Sequence, residues 1–439
     1  MEIIGIISSL FGVFSGGLLL YQYLDRSAKK RKLKLYHILL SSFVTTLFVL
    51  LLQYLGQLQD IELSMYDRMM RLRRPESRDA RITVVTINES DIKYQLSRGL
   101  GMQGSLSDVA LEELLDKINI SGPRTIGLDI YHDYEFSSDT LNQKANADEN
   151  FFTVCKVANG NNPGVAPIPG FEEQRVGFSD FQDDKDGILR RHLLVMERPE
   201  IGTSQDCIAS HAFSFLLAGS YLSQELEKQE IVTLTKNQEY QIEDTVFKRV
   251  SIPFGGYQNP QMDLDGYQIM LNYRSLNDHR KIAQVISLEA VLNEENSETL
   301  KRFFEEKIIL IGVDNIIRDS WLTTNNSPQP NNQKALPGVF VQAHMISQII
   351  SAVLNGRPLI SAPSFPQATI WIFICGIIGG LIVQKWSIPS RRVVWSGLAL
   401  LLLFVICQIL LMLGIWMPLF PAMATLLVAS VICVVFVKM

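Results

Sequence analysis

Histidine and cysteine are scarce in this chain, with 6 and 5 copies among 439 residues. His132, His192, His211, His279 and His344 stand singly, without the paired spacing of a metal site. There is no phosphate-cradling glycine loop ending in Lys-Ser/Thr, no HExxH and no GxSxG elbow. The sequence therefore offers no reactive constellation, and it reads as a non-enzyme that needs no cofactor and no metal. Charge is also thin, at 19% of residues, and whole stretches lack it. Residues 3–24, 36–58, 366–384, 393–413 and 415–437 contain no Asp, Glu, Lys or Arg. Ion and proton pathways usually mark themselves with such residues inside the membrane, so a transporter is disfavoured.

Each of those runs is long enough to cross about 30 Å of hydrocarbon, which takes roughly 20 apolar residues. The expectation is an all-α transmembrane region of about five helices. The first run sits where a signal peptide would, but no small-residue cleavage site follows it, and its basic cluster comes after it; it reads as retained. Basic short loops stay in the cytoplasm. Residues 25–35 hold six Lys or Arg, and the loop before residue 393 holds Lys385, Arg391 and Arg392. This places residues 59–357 outside and the C-terminus in the cytoplasm, as in a multi-pass protein of the cell inner membrane with a periplasmic domain. Arg68, Arg71, Arg73, Arg74 and Arg78 oppose that bias, but long domains translocate largely regardless of charge. The basic loops leave the long middle segment more acidic than the chain's net −5. That speaks against nucleic acid as a partner; membrane lipid is the partner the apolar runs require.

Four regions follow: residues 1–35 as a first transmembrane helix and basic loop, 36–75 as a second helix and stalk, 76–357 as a folded extracytoplasmic domain, and 358–439 as three closing helices. Residues 61–74 place Ile61, Met65, Met69 and Leu72 at helical spacing, so the second helix is expected to continue outward as an amphipathic stalk ended by Pro75. RITVVTI (81–87), RTIGLDI (124–130), FFTVCKV (151–157), ILRRHLLVM (188–196), YQIMLNYR (267–274) and KIILIGV (307–313) read as strands. Ser107 reads as the N-cap of a helix through Ile118; residues 206–222 and 339–354 read as further helices, and 323–338 as a polar surface loop. Strand, helix, strand within about 50 residues is a parallel crossover. The fold class expected is an α/β domain with a mostly parallel or mixed sheet covered by helices.

In open α/β sheets ligands bind beyond the carboxyl ends of the parallel strands. Those ends carry Asn88 and Glu89, Asp129 and His132, and Asp314 and Asp319. Asn88, Glu89, Asp129 and Asp319 are the candidate ligand-binding residues, and such an acidic rim suits a cation or an amine. The competing reading is that Asp129 merely bonds nearby backbone. Arg190 and Arg191 are suited to pairing with such carboxylates. QDDKDG (182–187) and QMDLDG (261–266) place acids as a calcium loop does, but both lack the first Asp and the twelfth-position Glu; they read as acidic turns. Cys375, Cys407 and Cys433 lie in apolar runs as small fillers. Cys155 and Cys207 are the disulfide candidates if the domain faces an oxidising compartment, although sequence alone does not show that their Cα atoms approach.

The order of segments resembles the CHASE type 2 family of extracellular sensor domains. The resemblance is carried by ELSMYDRMMRLRRP (62–75), ITVVTINESDI (82–92), PRTIGLDI (123–130), VGFSDFQDDKDGILRRHLL (176–194), KIILIGV (307–313) and PGVFVQAHMISQIISAVLNGRPL (337–359). GYQIMLNYR (266–274), with the two domain cysteines, is similar to the cyanobacterial branch. The resemblance implies signal reception by an extracytoplasmic domain and transmission through flanking helices. No kinase or cyclase follows the last helix in this sequence, so the expected role is a sensor acting on a separate cytoplasmic or membrane effector protein. The alternative is an autonomous membrane effector or scaffold, a homo-oligomer and pore-like in form, gated by the domain.

Overall fold

The computed structural model describes residues 33–102, 104–158, 163–196, 207–259, 264–315, 319–325 and 335–438. The first apolar run, residues 3–24, lies outside them. The chain forms two compact units. One gathers the described residues up to Met69, the segment from Ser251, and everything from Ser361 on; the other holds Met70–Val250 and Asp263–Ile360.

The helical unit begins with α1 (Leu35–Tyr54) and α2 (Gln59–Arg71). The second helix does not run on as a stalk: the chain turns over residues 55–58, with Gly56 at φ +72°, and α2 starts afresh. The buried face of α2 is Glu62, Leu63, Tyr66 and Met69, whereas Ile61 is exposed. Glu62 explains the shift, because its carboxylate oxygens accept the N–H groups of Leu419 (3.0 Å) and Phe420 (2.8 Å), donors that a helix N-terminus otherwise leaves unmet. Burial pushes the Glu62 carboxyl up to about 7 against those two bonds. α1 is inside-out by the standards of a water-soluble helix. Ser41, Ser42, Thr45, Thr46 and Gln53 are buried, while Leu39, Leu40, Phe43, Leu47, Phe48 and Leu51 face outward. Small and hydroxyl side chains inward and bulky apolar ones outward is the arrangement lipid favours.

After the α/β unit come α10 (Phe365–Lys385), α11 (Pro389–Met412) and α12 (Leu419–Lys438). Gly376 lies against Ser42 and Thr425, and Gly380 against Ile38, so α1, α10 and α12 pack closely through small residues. Residues 251–259 belong here as well. Trp416 is fully buried between Tyr66 and Tyr257, at centroid distances of 4.4 and 5.8 Å. A methyl group at Gly255, itself at φ +54°, would overlap the indole.

In the α/β unit the chain runs β1 (Ile82–Ile87), α3 (Glu89–Ser97), α4 (Asp108–Asn119), β2 (Thr125–Asp129), α5 (Asp139–Ala147), β3 (Phe151–Cys155) and β4 (Val176–Phe178). It continues through β5 (Ile188–Leu189), β6 (Arg191–Val195), α6 (Phe213–Glu225) and the small meander β7 (Val232–Leu234), β8 (Tyr240–Ile242) and β9 (Thr245–Phe247). It closes with β10 (Tyr267–Met270), β11 (Gln284–Ser287), α7 (Leu288–Asn293), α8 (Ser297–Phe304), β12 (Ile308–Val313), β13 (Leu322–Thr323) and α9 (Gly338–Asn355). Six strands form a parallel sheet in the order β11-β1-β12-β2-β3-β4. Alternation sorts its core: Val84, Val154 and Leu310 pack toward α6 and α9, and Val85, Leu128 and Ile311 toward α4, α7 and α8. Ser107 Oγ caps α4 at the Ala110 N–H (3.1 Å).

Two strand readings, a helix start and a loop are corrected. Residues 188–196 split at Arg190 and leave the main sheet, β5 pairing with β13 and β6 running antiparallel to β10. The reason is charge. Arg190 is fully buried and binds Asp184 (2.7 Å) and Asp186 (2.6 Å), and Arg191 also binds Asp184 (2.9 Å). Those arginines thus hold the 182–187 acidic turn rather than the rim carboxylates. Residues 271–274 extend beyond β10 without a ladder, and α6 starts at Phe213, later than expected. Thr323 and Thr324 at the head of the 323–338 loop are buried rather than surface.

Five of the described helices are long and apolar enough to cross a membrane: α1, α9, α10, α11 and α12. Four coincide with apolar runs of the sequence. The fifth, α9, is 83% buried and is a core helix of the α/β unit. Replacing Glu62 by Ala should lower the stability of the protein in detergent by about 1–3 kcal/mol, because two buried N–H groups lose their acceptor; Glu62→Gln should cost less, and thermal midpoints of both variants check the ordering.

Candidate functional site

A cleft of about 790 Å³ opens at the carboxyl ends of the parallel strands. The central strands place their last residues there: Asp129 ends β2, Val313 ends β12, and Ser179, Asp180 and Phe181 follow β4. The fold can bring α9 over this end only because residue 312 is glycine, since a Cβ there would lie 2.6 Å from the Val339 side chain. The same holds at Gly338, where a Cβ would collide with the Asp319 carboxylate.

Glu89, Asp129 and Asp319 line the cleft together. Asn88 does not. Its side chain accepts the N–H groups of Ser90 (2.7 Å) and Asp91 (3.3 Å), capping α3, so that candidate is corrected to a capping residue. Glu89 accepts a bond from Asn315 Nδ2 (3.1 Å). Asp129 Oδ1 accepts from Ser179 Oγ (3.1 Å), a side-chain bond across the cleft rather than a local turn. Asp319 accepts from Trp321 Nε1 (2.8 Å) and from the Gly338 N–H (3.0 Å). Two of the other strand-end groups are placed elsewhere. Asp314 pairs with Arg280 (3.1 Å), and buried His132 packs at a tilt against the rings of Tyr134 and Phe136.

Among the described lining residues the charge balance is acidic. Burial, and then the neighbouring Asp319 carboxylate, raise Asp129 to about 7, opposed by the Ser179 hydroxyl. Asp180 is also raised by burial, although the Val157 N–H (3.0 Å) and nearby Lys156 favour its charged form. Lys156 is the one basic residue among the described lining residues. Phe181 and Trp321 meet edge to face at 5.0 Å and supply an aromatic wall. Carboxylates that repel one another beside aromatic rings favour a cationic guest, which relieves the repulsion and can stack. Ser179, Asp180, Phe181, Lys156, Tyr131 and Trp321 were missed in the sequence reading, although five of them directly follow β2, β3 or β4.

Cys155, at the end of β3, is bridged to Cys207 with Cα atoms 5.4 Å apart, and Cys375, Cys407 and Cys433 are free and buried. Among the described residues no group of three or more His, Cys, Asp or Glu side chains is arranged to hold a metal.

An α/β domain with a ligand-sized polar cleft, encoded between apolar helices, defines a membrane-associated protein with a receiving domain. The CHASE2 domain family model matches residues 44–381, and the chain belongs to this family of extracellular sensor domains. No curated protein and no solved structure matches the chain.

The raised Asp129 has a measurable sign. From 3.8 to about 7 the folded state holds a proton that the unfolded state has released, so this group makes stability fall as pH rises through that window. Asp129→Asn should flatten the fall and raise stability above pH 7 by on the order of 1 kcal/mol or more; thermal midpoints from about pH 4 to 8 check it.

Proposed function

We propose that this chain is a membrane-anchored extracytoplasmic sensor whose cleft receives a small organic cation, such as a primary amine or polyamine. It signals through its apolar helices to a separate cytoplasmic or membrane effector protein. The observation that carries this reading is the acidic, aromatic-walled cleft at the strand ends of a CHASE2 domain. The Cys155–Cys207 bridge supports an oxidising compartment for the domain. The basic loops at 25–35 and 385–392 support cytoplasmic placement of the short connections, and hence of the C-terminus at the inner membrane. The role is reception, in keeping with the sensor family to which the chain belongs.

Spermidine, putrescine and magnesium, titrated onto the full chain in detergent, test the ligand class. A true ligand at a hundred times its Kd should stabilise the protein by about 2.7 kcal/mol, and the shift should largely vanish in Asp129→Asn and Asp319→Asn. A shift that survives both changes places the ligand elsewhere. Crosslinking in cells separates the two roles: a stoichiometric effector supports the sensor, and self-oligomers alone support the autonomous membrane effector.

Orientation has its own test. Asn237→Cys in the exposed β7–β8 turn should react with a membrane-impermeant maleimide in intact cells, and Ser387→Cys between α10 and α11 should not. The reverse pattern would invert the topology.

A further inference from the structure

Helix α9 is wired at both ends. At its start, the Gly338 N–H donates to Asp319 Oδ2 (3.0 Å). One turn on, Gln342 Nε2 donates to Ser179 Oγ (3.1 Å), which donates to Asp129 Oδ1 (3.1 Å). Both acids line the cleft. Toward its end, Ser347 Oγ and Ser351 Oγ donate to Asp79 Oδ2 (2.8 and 3.2 Å), and Gln348 Oε1 accepts the N–H of Asn272. Gly356 closes the helix at φ +61°. Arg357, the next residue, grips Glu76 through two bonds (2.8 and 3.0 Å) and donates to the carbonyls of Asn272 (2.9 Å) and Tyr273 (3.2 Å).

Residues 272–273 also hold the other side of this junction. Arg73 donates to Asn272 Oδ1 (2.5 Å) and to the Tyr273 carbonyl (2.5 Å), and Asn272 Nδ2 donates to the carbonyl of Pro358 (2.8 Å). Arg73 and Glu76 lie on the segment that follows α2; Arg357 and Pro358 lie on the segment that leads to α10. The incoming and outgoing chain are thus clasped at one place, at the far end of the helix whose first turn meets the cleft. Burial raises the Glu76 carboxyl, yet the Arg357 guanidinium holds it down at about 2, so the clasp stays charged at any physiological pH.

We infer that α9 is the relay of this sensor. Occupancy of the cleft acts on Asp319, Asp319 acts on the α9 N-terminus, and the α9 C-terminus acts on the Glu76–Arg357 clasp. An 18-residue helix is a rod of about 27 Å, and this one is buried along nearly its whole length, so a push at one end is not absorbed by bending into solvent. A carboxylate at a helix N-terminus is held by the peptide dipoles. A cation in the cleft competes for that same carboxylate, which gives the two states different affinity for ligand. The inference rests on the sensing reading above, but its central link needs no ligand to be tested.

Hydrogen exchange of the full chain in lipid nanodiscs reads that link. Asp319→Asn should raise exchange about tenfold, the equivalent of one weakened hydrogen bond, both at residues 338–342 and at the clasp, residues 72–76, 272–275 and 356–358. Helix α4 on the opposite face of the sheet should not change. A rise confined to the first turn of α9 overturns the relay. Arg357→Gln should open the clasp from its own side, and adding Asp319→Asn to it should then bring no further rise there; additive effects overturn the relay too. Should Asp319→Asn fail to accumulate, Arg357→Gln read at residues 338–342 replaces it, a rise being expected and no change counting against. Spermidine on the wild type separates this inference from the ligand reading. If it fails to protect the cleft while Asp319→Asn still opens the clasp, the relay stands and the amine falls. If it protects the cleft and leaves the clasp unmoved, the relay falls.

Discussion

The packing of α9 on the centre of the parallel sheet is the constraint on which the rest of the α/β unit depends. It is possible only because Gly312, one residue before the end of β12, lies beneath Val339. Once the helix lies there, its first N–H must find an acceptor, and Asp319 is that acceptor. Asp319 then stands beside Asp129, and the two carboxylates define the acidity of the cleft. At the other end, the same helix brings Ser347 and Ser351 to Asp79, whose charge is also matched by Arg81 (2.7 Å) and Arg274 (3.1 Å). A buried carboxylate survives only with such partners, and Asp79 has four.

Hydrophobic periodicity made most of the fold legible. The β-branched runs at 82–87 and 308–313 are buried along nearly their whole length, as strands covered on both faces must be. Ser107 capped its helix as its position implied. What periodicity could not carry were polar decisions made by distant partners. Residues 188–196 look apolar enough for the sheet, yet Arg190 and Arg191 are drawn to an acidic turn a few residues away, and the strand leaves the ladder. The face of α2 was misread for the same reason: Glu62 looks like a surface residue until the N–H groups of Leu419 and Phe420, more than 350 residues later, are brought to it.

The cleft was half legible. The rule that ligands gather at strand ends located Glu89, Asp129 and Asp319, because each stands within a few residues of a recognisable strand or of the loop that follows it. Asn88 obeyed the rule by position but not by chemistry, as an Asn before a helix is a cap first. Ser179, Asp180 and Phe181 follow a three-residue strand at the sheet edge, too short to announce itself by pattern. Trp321 lies beyond β12 in a stretch without periodicity, and only the folded chain sets it against Phe181.

Residues 251–259 leave the α/β unit and join the helical one, where Gly255, Gly256 and Tyr257 enclose Trp416. The α/β domain is therefore not a bead that can be cut from its string at two points. Excised at residues 70 and 360, it would still carry a loop shaped around an indole it no longer possesses, a ready patch for sticking to its neighbours. The remaining helices would in turn expose a tryptophan bare of its glycine sleeve.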